Sequence, residues 1–198
     1  MSKGTATRQA VLDEAARVAS RVGLGGLTIG SLATATQLSK SGLFAHFQSK
    51  ESLQLQLLEH TRAHFVEAVV RPALAAPRGE PRVRELFSRW LAWDTDGLPG
   101  GCLFVAASAE FDDQPGPVRD RLAQDQRDWL DTVAQVFRTG IAEGQLRPDA
   151  DPEQFAYDLH GIMLAYHHAS RLLGDPDATA RATRAFEALL LAARLPAS

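Results

Sequence analysis

The sequence predicts an all-α protein, and three observations carry that expectation. Alanine and leucine dominate the 198 residues, while β-branched residues are sparse. Apolar residues recur at three- and four-residue spacing, with no sustained alternation of the strand kind. Glycine, proline and short polar residues punctuate the chain where helices would start and stop.

The elements follow in order. A first helix runs from about Arg8 to Val22, with Thr5 or Thr7 as its cap and Gly23 as its end. Val11, Ala15, Val18 and Val22 fall on one face, flanked by Leu12, Ala16 and Ala19. After a Leu24-Gly-Gly-Leu turn, Thr28 caps a second helix that turns Ile29, Leu32 and Ala33 inward. Gln37-Leu38 makes the next turn, and Ser39 caps a third helix anchored by Leu43 and Phe47. Ser49 then caps a long fourth helix, with Leu53, Leu57, Phe65 and Val69 on its apolar face, up to about Arg71. Pro72 is expected to kink or end it. Three prolines over 72–81 mark a seam. Further helices are expected at about 81–95, 102–111, 117–143, 152–173 and 177–194. Asp151 caps the penultimate one with Pro152 at its first position, and Gly144 and Gly174 close the two long ones. The total is about nine helices.

Composition limits the functional classes. Hydrophobic residues at 45% and charged residues at 23% fit an ordinary globular protein. No apolar run approaches the ~18 residues of a membrane span, and no signal-peptide core is present, so no membrane partner is expected and the protein is placed in the cytoplasm. The single cysteine agrees with a reducing compartment. Net charge is −3, but residues 1–60 hold six Lys/Arg against four Asp/Glu, and the remainder holds 15 against 20. A mildly basic head on an acidic body suits a chain that touches DNA at one end. No nucleophile elbow, phosphate loop or zinc motif appears, so no enzyme activity and no cofactor are assigned.

Residues 28–47 carry the most information. Two short helices joined by a tight turn, the second polar at its start and aromatic at its end, have the layout of a helix-turn-helix. Lys50 follows at the start of a longer helix, where its charge and the free backbone N–H groups both suit a phosphate. The run Leu27-Thr28-Ile29-x-x-Leu32-Ala33, then Leu38-Ser39-Lys40-Ser41-Gly42-Leu43-Phe44-x-His46-Phe47-x-Ser49-Lys50-Glu51-x-Leu53, resembles the TetR family of transcriptional regulators over residues 7–58. The resemblance implies a DNA-binding domain at 1–50 and a ligand-binding and dimerisation domain at 51–198, with the helix 50–71 as connector. It implies that Thr28 meets a phosphate and that Ser39, Lys40, Ser41 and Gly42 form the groove-facing start of the recognition helix. His46 and Lys50 would grip the DNA backbone. Phe44 stands where the family often has tyrosine, keeping the ring and losing the hydroxyl; packing alone would place Phe44 and Phe47 in the core. The implied partners are a palindromic operator in double-stranded DNA, a second copy of the chain through helices 152–173 and 177–194, and a small-molecule effector.

In the body, apolar and aromatic residues are candidates for an effector cavity: Trp90, Phe104, Trp129, Phe137, Met163 and Tyr166, with His167 as a polar contact. Cys102 opens a helix after two glycines, where a thiol can become reactive, so a thiol-based sensor of electrophiles or oxidants is an alternative form of the regulator. A dimeric adaptor that has lost DNA binding is the other alternative. His60 and His64 share a helix face at i, i+4 spacing, but the sequence reveals no third ligand and no metal is assigned.

Overall fold

The computed structural model describes residues 3–195, with side chains from residue 7. In chain order it contains α1 (Lys3–Val22), α2 (Ile29–Thr36), α3 (Lys40–Phe47), α4 (Lys50–Phe65), α5 (Arg71–Ala75), α6 (Glu80–Ala92), α7 (Leu103–Phe111), α8 (Pro117–Ala142), α9 (Pro152–Arg171) and α10 (Ala178–Ala193). A π-helical segment, Val66–Val70, joins α4 to α5, and a second, Trp93–Gly97, prolongs α6. Among the described residues this makes nine continuous helical stretches and no strand, as the sequence predicts.

Compactness divides the chain differently from the expected split at residue 50. One unit comprises residues 1–64 and 95–125, the other 65–94 and 126–198. The reason lies in α7. Its Glu110 carboxylate accepts from the backbone N–H of Leu24 at 2.8 Å and of Gly25 at 2.6 Å, in the turn between α1 and α2. The loop before α7 is bound to the end of α1: Gly100 N–H donates to Ser20 Oγ at 3.1 Å, and a Cβ on Gly100 would lie 1.7 Å from Ser20 O.

The core of the first unit joins α1 (Leu12, Ala15, Ala19), α2 (Leu32), α3 (Leu43, Phe47), α4 (Leu53, Leu57) and α7 (Leu103, Ala107). Two expectations need correction. The inward stripe of α1 is centred on Leu12, Ala15, Ala16 and Ala19, which leaves Val22 55% exposed at the last turn. That helix is also already formed at Lys3, upstream of Thr5 and Thr7, so neither occupies a cap position. The other caps form as expected: Thr28 with Ser31 in a reciprocal capping box, Ser39 through Gly42 N–H, Ser49 through Ser52 N–H, and Asp151 through Glu153 and Gln154 N–H.

Pro72 does not stop its helix. Across Val66–Val70 the hydrogen-bond ladder widens by one residue, with Arg71 N–H donating to Val66 O. Pro72 then falls in the first turn of α5, directly after the widened ladder. The helix therefore continues to Ala75.

The second unit is built on aromatic contacts. Phe87 stacks on Phe186, and Phe137 on Phe155, each pair with centroids 4.2 Å apart. Trp93 and Trp129 meet Phe65 edge-on at 5.5 and 5.1 Å. At one end, Glu80 accepts from Arg84 Nε at 2.7 Å and from Arg194, while Arg84 also donates to Glu187. This network ties the start of α6 to the end of α10.

Two outcomes follow. Glu110→Ala leaves two backbone N–H groups of the α1–α2 turn without their acceptor, and should cost about 1–3 kcal/mol in urea denaturation. The hydrogen bonds of Arg194 and then Arg84 hold the Glu80 carboxyl at about 2, below its ordinary 4.5. A folded-state value below the unfolded one stabilises fully above the unfolded value and fades as the pH falls through the folded one. Glu80→Gln should therefore lower Tm at neutral pH, and the gap from wild type should close between about pH 4.5 and 2 in a series of thermal melts.

Candidate nucleic-acid interface

The recognition element is two short helices held from behind. Ile29 and Leu32 of α2, and Leu43 and Phe47 of α3, point into the core. Gln37, at φ 57°, ends α2 in the left-handed conformation, which lets the chain reverse within three residues before α3. What remains outward on α3 is Lys40, Ser41, Gly42, Phe44 and Ala45, with His46 half-buried. Phe44 is 50% exposed, so it is not a core residue beside Phe47. At helical spacing Phe44 lies one residue beyond the inward Leu43, about 100° around the helix.

Thr28 stands at the N-terminus of α2, its hydroxyl accepting from Ser31 N–H at 3.0 Å. A Cβ on Gly30 would lie 3.7 Å from Thr28 Oγ1 and 3.9 Å from Lys40 Cε. Lys40 therefore leans its stem toward the start of α2, and the lysine, the Thr28 hydroxyl and the first N–H groups of α2 share one patch. Ser39 and Ser41 lie beside it with their hydroxyls 3.2 Å apart.

Lys50 has a role that its sequence position does not reveal. Its ammonium donates to Gly25 O in the α1–α2 turn. Gln54 Nε2 donates to Leu24 O at 2.9 Å from a buried position. With Glu110 accepting from the adjacent N–H groups, three side chains from two helices hold both polarities of this turn. Sequence reasoning missed Glu110 and Gln54. Neither has a local signal, because the partners lie 86 and 30 residues away.

The effector candidates are divided between the units. Cys102, buried at the N-cap of α7, and Phe104, half-buried, belong to the first. Trp90, Trp129, Phe137, Met163 and Tyr166 are buried in the second. There Trp90 meets Tyr166 edge-on at 6.0 Å, and His167 Nδ1 lies 2.7 Å from Asp94 Oδ1. Of these residues, only Tyr166 lines a groove of the second unit. That groove, about 580 Å³, runs between α9 and α10 and is walled by Tyr157, His160, Leu164, Tyr166, Ala182 and Ala185 among others. Burial without a hydrogen-bonding partner pushes the His160 imidazole below its ordinary range.

Comparison with known proteins agrees with this architecture. Residues 11–57 match the family described as bacterial regulatory proteins, tetR family, and residues 79–186 match the tetracyclin repressor-like C-terminal domain. The chain is similar to the HTH-type transcriptional repressor DhaR of Mycobacterium sp. (strain GP1), at 24% identity over 153 residues, covering 77% of this chain and 76% of DhaR. It is similar in structure to a TetR transcriptional regulator from Chloroflexus aurantiacus J-10-FL, with a TM-score of 0.86, 27% identity, and coverage of 99% of this chain and 100% of the other. It also shares its fold with AibR, solved in complex with isovaleryl coenzyme A and operator DNA, with a TM-score of 0.71, 22% identity, and coverage of 91% and 98%. Among the described residues no helix is long and apolar enough to cross a membrane. The chain belongs to the TetR family of bacterial regulatory proteins, and it is a DNA-binding transcriptional regulator.

Proposed function

We propose that the protein is a cytoplasmic homodimeric repressor, released from a palindromic operator when a small molecule binds the body. Residues 1–50 read the DNA; residues 51–198 hold the effector and the partner. The observation that carries this reading is the outward patch of Thr28, Lys40, Ser41, Phe44 and the N-terminus of α2, on a helix pair whose inward side is fully packed. DhaR, named a repressor, and AibR, bound to an acyl coenzyme A and to operator DNA, support repression and a small organic effector.

Within the patch, Thr28 and the α2 N-terminus bind phosphate. Ser39, Ser41 and Gly42 let the start of α3 approach the groove, and Lys40 is the donor with reach to guanine O6/N7. His46 lies at the far end of α3. Lys50 contributes charge to the DNA backbone while its ammonium steadies Gly25 O. The buried thiol of Cys102 favours a packing role over a solvent-facing sensor.

The dimer face is assigned to α9 and α10. Ala182, Leu190 and Ala193 turn into their own unit, whereas Tyr157, Leu164, Ala185 and Leu191 remain exposed along the groove side and the adjoining surface. Two such faces, one from each copy, make a four-helix bundle. Effector binding shifts the dimer away from the DNA-competent spacing only to the extent that it prefers the other state.

Gel-shift titrations with the DNA flanking the gene, run at several salt concentrations, test the reading. Lys40→Ala should weaken specific binding by about 1–3 kcal/mol and leave non-specific binding nearly intact, while Lys50→Ala should weaken both and reduce the salt slope by about 1. Absence of any shift at low salt would favour the adaptor without DNA binding. Leu164→Glu should convert the dimer to monomer in sedimentation at unchanged helical content, and abolish operator binding with it.

A further inference from the structure

Two histidines one turn apart acquire a third neighbour in the fold. Asp13 of α1 lies against His60 and His64 of α4, all within the first compact unit. Both imidazoles direct Nε2 at the same carboxylate oxygen of Asp13, His60 at 2.8 Å and His64 at 3.8 Å. The two rings are 4.4 Å apart, tilted by 51°. All three donor atoms lie within 4.8 Å of one another.

Exposure is graded across the trio. The His60 side chain is 7% exposed, whereas those of His64 and Asp13 are 57% and 58% exposed. One ligand is therefore fixed by packing, and two stand at an open mouth that admits an ion and leaves room for water. A tetrahedral ion with bonds of about 2.0–2.2 Å holds its ligand atoms about 3.4 Å apart. The two separations from Asp13, 2.8 and 3.8 Å, fall on either side of that value, and the side chains of His64 and Asp13 are exposed enough to adjust.

We propose that Asp13, His60 and His64 form a binding site for a divalent transition metal of the Zn²⁺ class, with water as a fourth ligand. Two imidazoles and one carboxylate match borderline cations such as Zn²⁺, which accept nitrogen ligands in tetrahedral sites; Mg²⁺ and Ca²⁺ require mainly oxygen. For His60 to ligate through Nε2, a proton held there in the hydrogen bond to Asp13 passes to water or, by tautomerisation, to Nδ1, and metal bonds then replace the His60–Asp13 hydrogen bond. The ion cross-links α1 to α4, the helices on which the recognition pair is mounted.

The test uses untagged, chelator-stripped, full-length protein and Zn²⁺ as the probe. Equilibrium dialysis should find one ion per chain, and saturation at a hundred-fold excess over Kd should raise Tm by about 5–10 °C. Co²⁺ should give the visible absorption of a tetrahedral centre. His64→Ala and Asp13→Asn change exposed side chains, so each should keep the metal-free Tm within about 2 °C and lose both the ion and the Zn²⁺-dependent rise. A wild type that binds no ion overturns the proposal. So does either variant that retains the ion, or a Tm rise reproduced by Mg²⁺ at the same concentration.

Discussion

The turn Gly23–Gly26 governs where the recognition helix can be. It is short, and the backbone groups of Leu24 and Gly25 are drawn into side-chain hydrogen bonds that range from buried at Leu24 O to exposed at Gly25 O. Unpaired, each would impose a desolvation penalty comparable to a lost hydrogen bond. The protein satisfies them with side chains from distant elements: Glu110 for two N–H groups, Gln54 and Lys50 for two carbonyls. Gly26 leaves no alternative residue, since a Cβ there would stand 2.2 Å from Val22 O; a Cβ on Gly25 would stand 2.4 Å from Glu110 Oε1 and so displace the carboxylate that holds the turn. Once the turn is fixed, α2 starts at Thr28 with a defined direction. The burial of Leu32, Leu43 and Phe47 then determines the rotation of α3. The groove-facing residues are those that packing has left over.

The same clamp accounts for the shape of the first compact unit. α7 is far along the chain, yet it belongs with α1 because Glu110 binds the turn that follows α1 and the Gly100 loop binds its last turn. Their role is long-range polar satisfaction, and it carries no periodic signature. The second unit is organised differently. Stacked and edge-on aromatics fill its middle, and the Glu80–Arg84–Arg194–Glu187 network joins α6 to α10. Being partly exposed, that network contributes through geometry more than through Coulomb energy.

Much of this was legible in the sequence, and the reason is physical. Helix positions, and the caps at Thr28, Ser39, Ser49 and Asp151, depend on residues within one turn of each other, and those emerge at the expected places. The inward side chains of α2, α3 and α4 follow from spacing alone. What depended on partners remote in sequence was hidden. Phe44 looked like core because an aromatic in a small domain usually is; its exposure depends on the rotation that Leu43 and Phe47 impose. The passage of Pro72 required a π-helical segment that no residue type announces. The third member of the His60–His64 group lies 47 residues before His60, on another helix. Most effector candidates are large apolar or aromatic residues, and such residues in a helical body serve the core first. Tyr166 alone lines the α9–α10 groove, and that groove owes its other walls to Tyr157, His160 and small residues.

The residues left on the outside of α3 constrain how the operator can be read. A helix of eight residues has spent Leu43 and Phe47 on anchoring. Its exposed remainder offers one long donor, Lys40, short hydroxyls at Ser39 and Ser41, no side chain at Gly42, a methyl at Ala45 and a phenyl ring at Phe44. Bidentate reading of several base pairs requires several long amide or guanidinium groups, and this face lacks them. Lys40, moreover, leans toward the Thr28 end of α2, where a phosphate would compete with a base for its ammonium. Discrimination on the proposed docking must therefore come largely from where the phosphates hold the helix, from the spacing of two half-sites on a two-fold dimer, and from the shape of the DNA between them. The exactness of the α1–α2 turn is then a requirement for specificity, because a helix with few base contacts can be selective only if it is held in one place.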